Sequence, residues 1–385
     1  MAINRRQFFV SLSSAFGVYV GERFIRYCEK GDRFRELKAK GSAGHIGFAH
    51  GKEFKSLVQE NLGFYLSWLG KATGKNERFL LYLAKEFVKP LREYFPWVLE
   101  EINGIAKGSG RKLEEILLIN ARTDLFTIGR RKEKDDKPEC TAVALKEKIN
   151  GKDLIALGQT WDWNKKFLKT AVILRLEPKD KPSLITFTEA GMVGKIGFNE
   201  ERLGVCLNFL SHKTDNPQNP PGIPVHCLLR LCMGCSSVSE AIGLVSGSPR
   251  CASANFLLAS YNKKGASAID LEFTSTATSI IHMKNGVLTH ANHFKNKVFG
   301  SKRKARGTSL QRDESAQRLG ITLKKKIPDP AARLKKILSS ASKDAGPISR
   351  KNNTVAGIVM DLSRNKLHVV KGPPHLGKWY LLPGV

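Results

Sequence analysis

The 385-residue chain is 41% hydrophobic and 26% charged, enough to bury a large core as one domain with an accessory part or as two domains. Its seven cysteines are too sparse to hold a fold by disulfides, and their odd number leaves at least one thiol unpaired. Lys and Arg number 64 against 35 Asp and Glu, a net charge of +29 that favours anionic partners without choosing among them. The denser basic runs, at 295–306 and 324–336, bring no glycine-aromatic RNA motif and no zinc-finger spacing. Nucleic acid is therefore disfavoured, and the charge reads as a basic solvated surface that leaves membrane-surface contact open.

In chain order, Asn4-Arg5-Arg6-Gln7-Phe8-Phe9 precedes a weakly apolar stretch rich in Ser, Gly and Ala. Residues 1–27 resemble a twin-arginine export signal, which predicts an exported, periplasmic protein. The stretch is too short and polar to span a bilayer, and no small-x-small cleavage site comes after it. A basic N-terminal helix of a cytoplasmic protein is the alternative.

Residues 48–128 read as helical. Phe54, Leu57, Val58 and Leu62 recur at helical spacing, as do Leu80, Leu83 and Phe87, and the helix from Trp97 stops at Gly108-Ser109-Gly110. The stretch 129–139 (GRRKEKDDKPE) is a charged, exposed tether ending at Cys140. Beyond it, short apolar or alternating runs predict strands at 141–145, 154–159, 171–176, 184–188, 193–198, 203–209, 255–259, 266–273 and 278–281. One helix is expected over 225–245, another over 311–340 broken at Pro328 and Pro330, and a closing hairpin over 355–361 and 366–370. Helices followed by largely antiparallel strands indicate an α+β layered fold.

A cleavable tether ending at a cysteine that starts a strand suits an enzyme that cuts its own chain. A new N-terminal cysteine carries its own base, since a free α-amine titrates near pH ~8 and can take the thiol proton. Asn150-Gly151 between two strands is a two-residue hairpin signal. With that loop, Cys140 faces Trp161 and Ala142 faces Gln159. Gln159 then shares the face of Cys140 while Asp162 points the other way, so Asp162 reaches the cysteine only if the strand bulges or ends near 161.

Ordered short motifs run from His45 to the C-terminus. They include Glu100-Glu101, Gly104-Ile105-Ala106, Asn120-Ala121-Arg122-Thr123-Asp124, Cys140-Thr141 and Gly158-Gln159-Thr160-Trp161-Asp162-Trp163. Further on come Gly197-Phe198-Asn199-Glu200, Asn208-Phe209, Ser253-Ala254-Asn255, Ile269-Asp270-Leu271-Glu272, His290-Ala291-Asn292-His293 and Ile348-Ser349-Arg350. On these the chain resembles the isopenicillin N (acyl-coenzyme A:6-aminopenicillanic acid) acyltransferase family of self-cleaving N-terminal-nucleophile hydrolases. More distantly it is similar to the choloylglycine and penicillin V hydrolases.

The resemblance implies a four-layer αββα sandwich over 140–385 preceded by a helical propeptide or small chain over 28–139, made as a precursor and split between Glu139 and Cys140. It implies an amidohydrolase or acyltransferase without a cofactor or metal, taking a small-molecule acyl substrate such as a non-peptide amide or a coenzyme A thioester. By this resemblance Cys140 is the nucleophile, Asp162 contacts its α-amine, Asn292 is the oxyanion donor with Asn208 a second candidate, and Arg350 is a late active-site residue. Gln159, Trp161 and Ser349 are placed at the substrate. Gln159 stands where the choloylglycine branch has Arg, which weighs against bile-salt chemistry.

Glu139 stands where the family usually has Gly, a residue suited to the strained peptide of an N→S acyl shift. Autocatalytic cutting, cutting by an outside protease and no cutting are the outcomes this leaves. The competing function class is an unprocessed, inactive relative that binds anionic polymers or lipid surfaces through its basic charge. His290 with His293, and Cys232 and Cys235 near His226 and Cys227, lack the partners of a metal or redox site and read as structural.

Overall fold

The computed structural model describes residues 31–129, 139–216, 221–263, 265–300, 307–342 and 346–385. The export signal expected at 1–27 lies outside these residues, as does the tether from 130 to 138. Among the described residues, no helix is long and apolar enough to cross a membrane.

Chain order begins with strand β1 (Arg35–Gly41) and seven helices: α1 (Ala43–Glu53), α2 (Lys55–Thr73), α3 (Glu77–Glu86), α4 (Val88–Tyr94), α5 (Pro96–Ser109), α6 (Leu113–Asn120) and α7 (Arg122–Leu125). The sequence supplies their ends. Ser42 and Asn76 accept from the backbone N–H groups of His45 and Phe79 to start α1 and α3, and Gly110 (φ 68°) stops α5 in the left-handed region. Helices α1 and α5 cross with glycine against backbone: a Cβ on Gly104 would lie 2.3 Å from the Gly44 carbonyl oxygen, and one on Gly47 2.0 Å from that of Glu101. Only glycine permits that approach.

Strands β2 (Glu139–Ile149) and β3 (Lys152–Asp162) come next, then α8 (Phe167–Thr170), β4 (Ala171–Pro178), β5 (Leu184–Glu189), β6 (Ile196–Asn199) and β7 (Leu203–Phe209). After them stand α9 (Val225–Cys232), α10 (Val238–Gly247), β8 (Ala254–Asn262), β9 (Gly265–Phe273), β10 (Thr278–His282) and β11 (Val287–His290). Two helices, α11 (Ser309–Thr322) and α12 (Pro330–Leu338), precede β12 (Thr354–Asp361), β13 (Lys366–Lys371) and β14 (Tyr380–Pro383).

The strands form two sheets. One has eight, in the order β1-β4-β5-β6-β7-β8-β9-β10, and the other six, β11-β2-β3-β12-β13-β14. Their inner faces share one core that includes Cys140, Ala142, Ala144, Leu157 and Trp161 from the six-stranded sheet and Phe187, Val205, Leu207 and Phe256 from the eight-stranded one. The outer face of the six-stranded sheet, with Val143, Leu145 and Ala156, packs under α11 and α12 through Ala316, Leu334, Ile337 and Leu338. The N-terminal helices with α9 and α10 cover the other sheet, completing an αββα sandwich.

The Asn150-Gly151 hairpin forms with both residues at positive φ (50° and 78°), as its turn type requires. The resulting register pairs Cys140 with Trp161 and Ala142 with Gln159, as the loop dictates. Gln159 crosses the core, where its Nε2 donates to the Leu207 carbonyl (2.6 Å) and its Oε1 accepts from Leu207 N (2.9 Å), tying one sheet to the other.

Several elements depart from expectation. Residues 35–41, expected within an all-helical segment, pair in parallel with β4, so the chain before Cys140 contributes a strand to the sandwich. The helix expected over 225–245 is two, because Ser237 caps a new one. Strands β11 and β14 are four residues each, too short for alternation to reveal them.

Candidate active site

Cys140 is the second residue of β2 and is 3% exposed. Its side chain joins the core between the sheets, whereas its neighbours Glu139 and Thr141 belong to the other face. Burial and the nearby Asp162 charge push the Cys140 thiol up to about 11, against hydrogen bonds to the sulfur from the Gln159 side chain and the Asp162 backbone. In the unbroken chain the thiol is therefore protonated at neutral pH.

The backbone of Cys140 is held from both ends. Its N–H donates to Asn292 Oδ1 (2.8 Å), and its carbonyl accepts from Arg312 Nη1 (2.6 Å). Arg312, fully buried on α11, also donates to Thr141 Oγ1 (2.8 Å) and to Asn292 Oδ1 (3.1 Å). A guanidinium only donates, so the Asn292 atom facing it is the oxygen. The amide nitrogen consequently faces the Phe209 carbonyl, to which it donates at 3.1 Å.

The loop carrying Asn292 is pinned by Glu272. That carboxylate accepts from the backbone N–H groups of Lys295 (2.5 Å) and Asn296 (3.0 Å) and meets His290 Nε2 (2.8 Å). Ser309 Oγ accepts from Asn292 N and meets His293 Nδ1, each at 2.8 Å. The two histidines thus support the loop structurally.

Asp162 lies on the helical face of the six-stranded sheet, opposite Glu139 in the β2–β3 ladder, and no register shift interrupts that ladder. The irregularity is on its other side, between Thr354 and Ala356 of β12. Thr354 Oγ1 donates to Asp162 Oδ1 (2.6 Å), and Arg350 Nη1 lies 3.6 Å from Asp162 Oδ2. Burial raises the Asp162 carboxyl to about 7, against the field of Arg312 and the Thr354 hydrogen bond. Arg350 also forms an ion pair with Glu139.

Behind the cysteine lies a buried charge network. Lys195 Nζ is 2.6 Å from Glu189 Oε1 and 3.2 Å from the centre of the Trp161 ring. Glu189 also accepts from Arg122 (3.0 Å) and from the Tyr65 hydroxyl. Burial lowers Lys195 to about 7, opposed by Glu189. Trp161 itself is 1% exposed and packs on Phe167 and Phe187.

The structure brings Cys140, Asn292, Gln159, Glu139, Asp162 and Arg350 together at the start of β2. Ser349 meets His375: its hydroxyl is 2.6 Å from His375 Nδ1. Asn208 is fully buried on β7, and neither atom of its amide has a hydrogen-bond partner among the described residues. Arg312, Thr354, Lys195 and Glu189 were missed. Lys195 had a signal, as a lone cation in the apolar run from Met192 to Phe198; Arg312, in a helix full of charges, had none.

The motif Asn120–Asp124 ties the part before the tether to the part after it. Asn120 Nδ2 donates to the Gly191 carbonyl (2.9 Å), Val193 N donates to Asn120 Oδ1 (3.0 Å), and Val225 N donates to Asp124 Oδ2 (3.1 Å) at the start of α9.

Two sheets face to face between helical layers, with a thiol at the start of a central strand, define the architecture of an N-terminal-nucleophile hydrolase. The family described as acyl-coenzyme A:6-aminopenicillanic acid acyl-transferase matches residues 149–374. The 40 kDa form of acyl-coenzyme A:6-aminopenicillanic-acid-acyltransferase from Emericella nidulans is 30% identical over 259 residues, 67% of this chain and 68% of that protein. The chain belongs to this family. Membership places it among acyltransferases.

Two solved structures are similar at 14% identity. The N-acylethanolamine-hydrolyzing acid amidase ortholog of Caenorhabditis elegans covers 58% of this chain and 93% of its own, with a TM-score of 0.42. Penicillin V acylase from Agrobacterium tumefaciens covers 63% and 86%, with a TM-score of 0.45.

Proposed function

We propose that the protein is a cysteine N-terminal-nucleophile amidohydrolase or acyltransferase that works through an acyl-enzyme on Cys140, after the peptide between Glu139 and Cys140 is cut. The observation that carries this reading is the grip on Cys140: its N–H on Asn292 and its carbonyl on Arg312 hold the residue in place independently of the tether.

In the uncut chain the nitrogen of Cys140 is an amide and offers no base, and the thiol stands at about 11. Cutting turns that nitrogen into an amine with an ordinary pKa near ~8, able to take the thiol proton and return it to a leaving group. Asn292 Oδ1 then accepts from the amine and Asp162 balances its ammonium form. The Asn292 amide nitrogen, oriented by Arg312, supplies the oxyanion donor, with Asn208 as a second. Such a donor lowers the barrier by about 3–4 kcal/mol. The substrate is a small acyl amide or thioester, a coenzyme A thioester being the donor that the family's description suggests. The helical part before the tether stays bound after cutting through β1 and the Asn120–Asp124 contacts.

Intact-mass measurement of the purified chain tests the reading. Two fragments meeting at Glu139 and Cys140, a Cys140→Ala variant that stays whole, and an acyl adduct on the Cys140 fragment after incubation with acyl-coenzyme A or N-acyl amide panels are expected. One persistent chain without adduct returns the protein to the class of unprocessed basic binding proteins.

A further inference from the structure

Glu139, the residue before Cys140, is not idle. It sits opposite Asp162 in the ladder, on the same face, so two carboxylates oppose each other across the strands. Like charges so placed destabilise a sheet unless a cation stands between them. Arg350 is that cation: one guanidinium nitrogen pairs with Glu139 Oε2 and lies 3.6 Å from Asp162 Oδ2. A second cation, Arg312, is 3.9 Å from the same Glu139 oxygen. The side chains of Glu139 and Arg350 are 22% and 24% exposed, so solvent screens their pair less than one on an open surface.

Arg350 is itself fixed. Its N–H donates to Thr354 Oγ1 (2.8 Å), the same hydroxyl that donates to Asp162, and its carbonyl accepts from Thr354 N (2.9 Å). The peptide between 139 and 140 is therefore gripped on both sides, through the Glu139 side chain and through the Cys140 backbone. Glycine at 139 would have no side chain to grip.

We propose that Glu139 is the positioning residue of self-processing: Arg350 clamps its carboxylate to present the Glu139–Cys140 peptide to the Cys140 thiol, and cutting releases Arg350 to the mature site. This rests on Cys140 being the nucleophile. The sulfur adds to the Glu139 carbonyl carbon, the C–N bond breaks, and the thiol proton ends on the freed Cys140 amine. Water then hydrolyses the thioester, restoring the thiol and leaving Glu139 with a second carboxylate. That new charge beside Asp162 repels the cut end from the site.

Cell-free translation of the full chain, quenched over time and read by intact mass, tests the clamp. Glu139→Gln keeps the shape and removes the charge, and should slow cutting about tenfold or more, the size of one lost partly buried ion pair. Glu139→Arg and Arg350→Glu alone should be slower still, and the two combined faster than either. Thermal unfolding of the same changes in a Cys140→Ala background separates lost fold from lost cutting. Glu139→Gln cut at the parent rate, or a double variant no faster than Arg350→Glu while folded, overturns the clamp. A parent chain never cut at this bond overturns the nucleophile reading beneath it.

Discussion

Arg312→Met tests the centre of the site. The change keeps most of the buried stem and removes hydrogen bonds to the Cys140 carbonyl (2.6 Å), Thr141 Oγ1 (2.8 Å), Asn292 Oδ1 (3.1 Å) and Thr308 Oγ1 (3.1 Å). Single charge-assisted bonds are worth ~1.5–3 kcal/mol, but these share one group and do not add. Asp162 also loses a cation whose field acts on it. Breaking a buried charge pair from one side costs about 3–5 kcal/mol, which is the stability loss expected in urea unfolding. With Arg312 gone, the Asn292 amide keeps only Cys140 N–H on its oxygen and the Phe209 carbonyl on its nitrogen and is held less firmly. A displaced oxyanion donor lowers kcat by roughly 10²–10³, with KM little changed, because the donor acts on the transition state. Arg312→Lys should recover part of the stability and little of the turnover, since an ammonium cannot hold the Cys140 carbonyl and Asn292 together. Rates are taken per titrated Cys140 thiol in the processed fraction. A folded Arg312→Met enzyme with parental kcat would refute the reasoning.

Gly104→Ala should destabilise by about 1–3 kcal/mol in denaturant melts, although alanine in a helix normally gains ~1 kcal/mol, because its Cβ would meet the Gly44 carbonyl oxygen at 2.3 Å. Gln159→Leu leaves both backbone polar groups of Leu207 without their partner and should cost about 2–5 kcal/mol, with faster hydrogen exchange at Leu207. His290 faces the Ala291 carbonyl at Nδ1 (2.7 Å) and Glu272 at Nε2 (2.8 Å); both only accept, so the ring carries both protons. Against desolvation, the neighbouring carboxylates Asp270 and Glu272 raise its pKa above the ordinary 6.5. A raised folded pKa gives stability that is fully present below 6.5 and lost as pH rises through the folded value. Stability should therefore fall with pH above 6.5 less steeply in His290→Asn than in the parent; equal slopes would contradict the charged ring. Buried Asp270, raised to about 7, titrates in the same sense and is held down by His290, so the difference between the two proteins reports the coupled His290–Asp270 pair.

By itself the sequence determined whatever depends on neighbours along the chain. The Asn150-Gly151 loop set the β2–β3 register, and through it the pairing of Cys140 with Trp161 and the placing of Asp162 on the opposite face from the thiol. Periodicity located most helices and strands because each buries one face, and the ordered motifs around Cys140 carried the family. Tertiary structure alone decided what meets the cysteine. Asn292 arrives from 152 residues away and Arg312 from 172, on elements whose local patterns say nothing of their partners. Strand β1 is a strand only because β4 lies beside it to take its backbone hydrogen bonds. The same holds at Glu139: in the sequence it is an ill-suited neighbour of Cys140, and folding sets it against Arg350 and Arg312 because the sheet puts its carboxylate opposite that of Asp162.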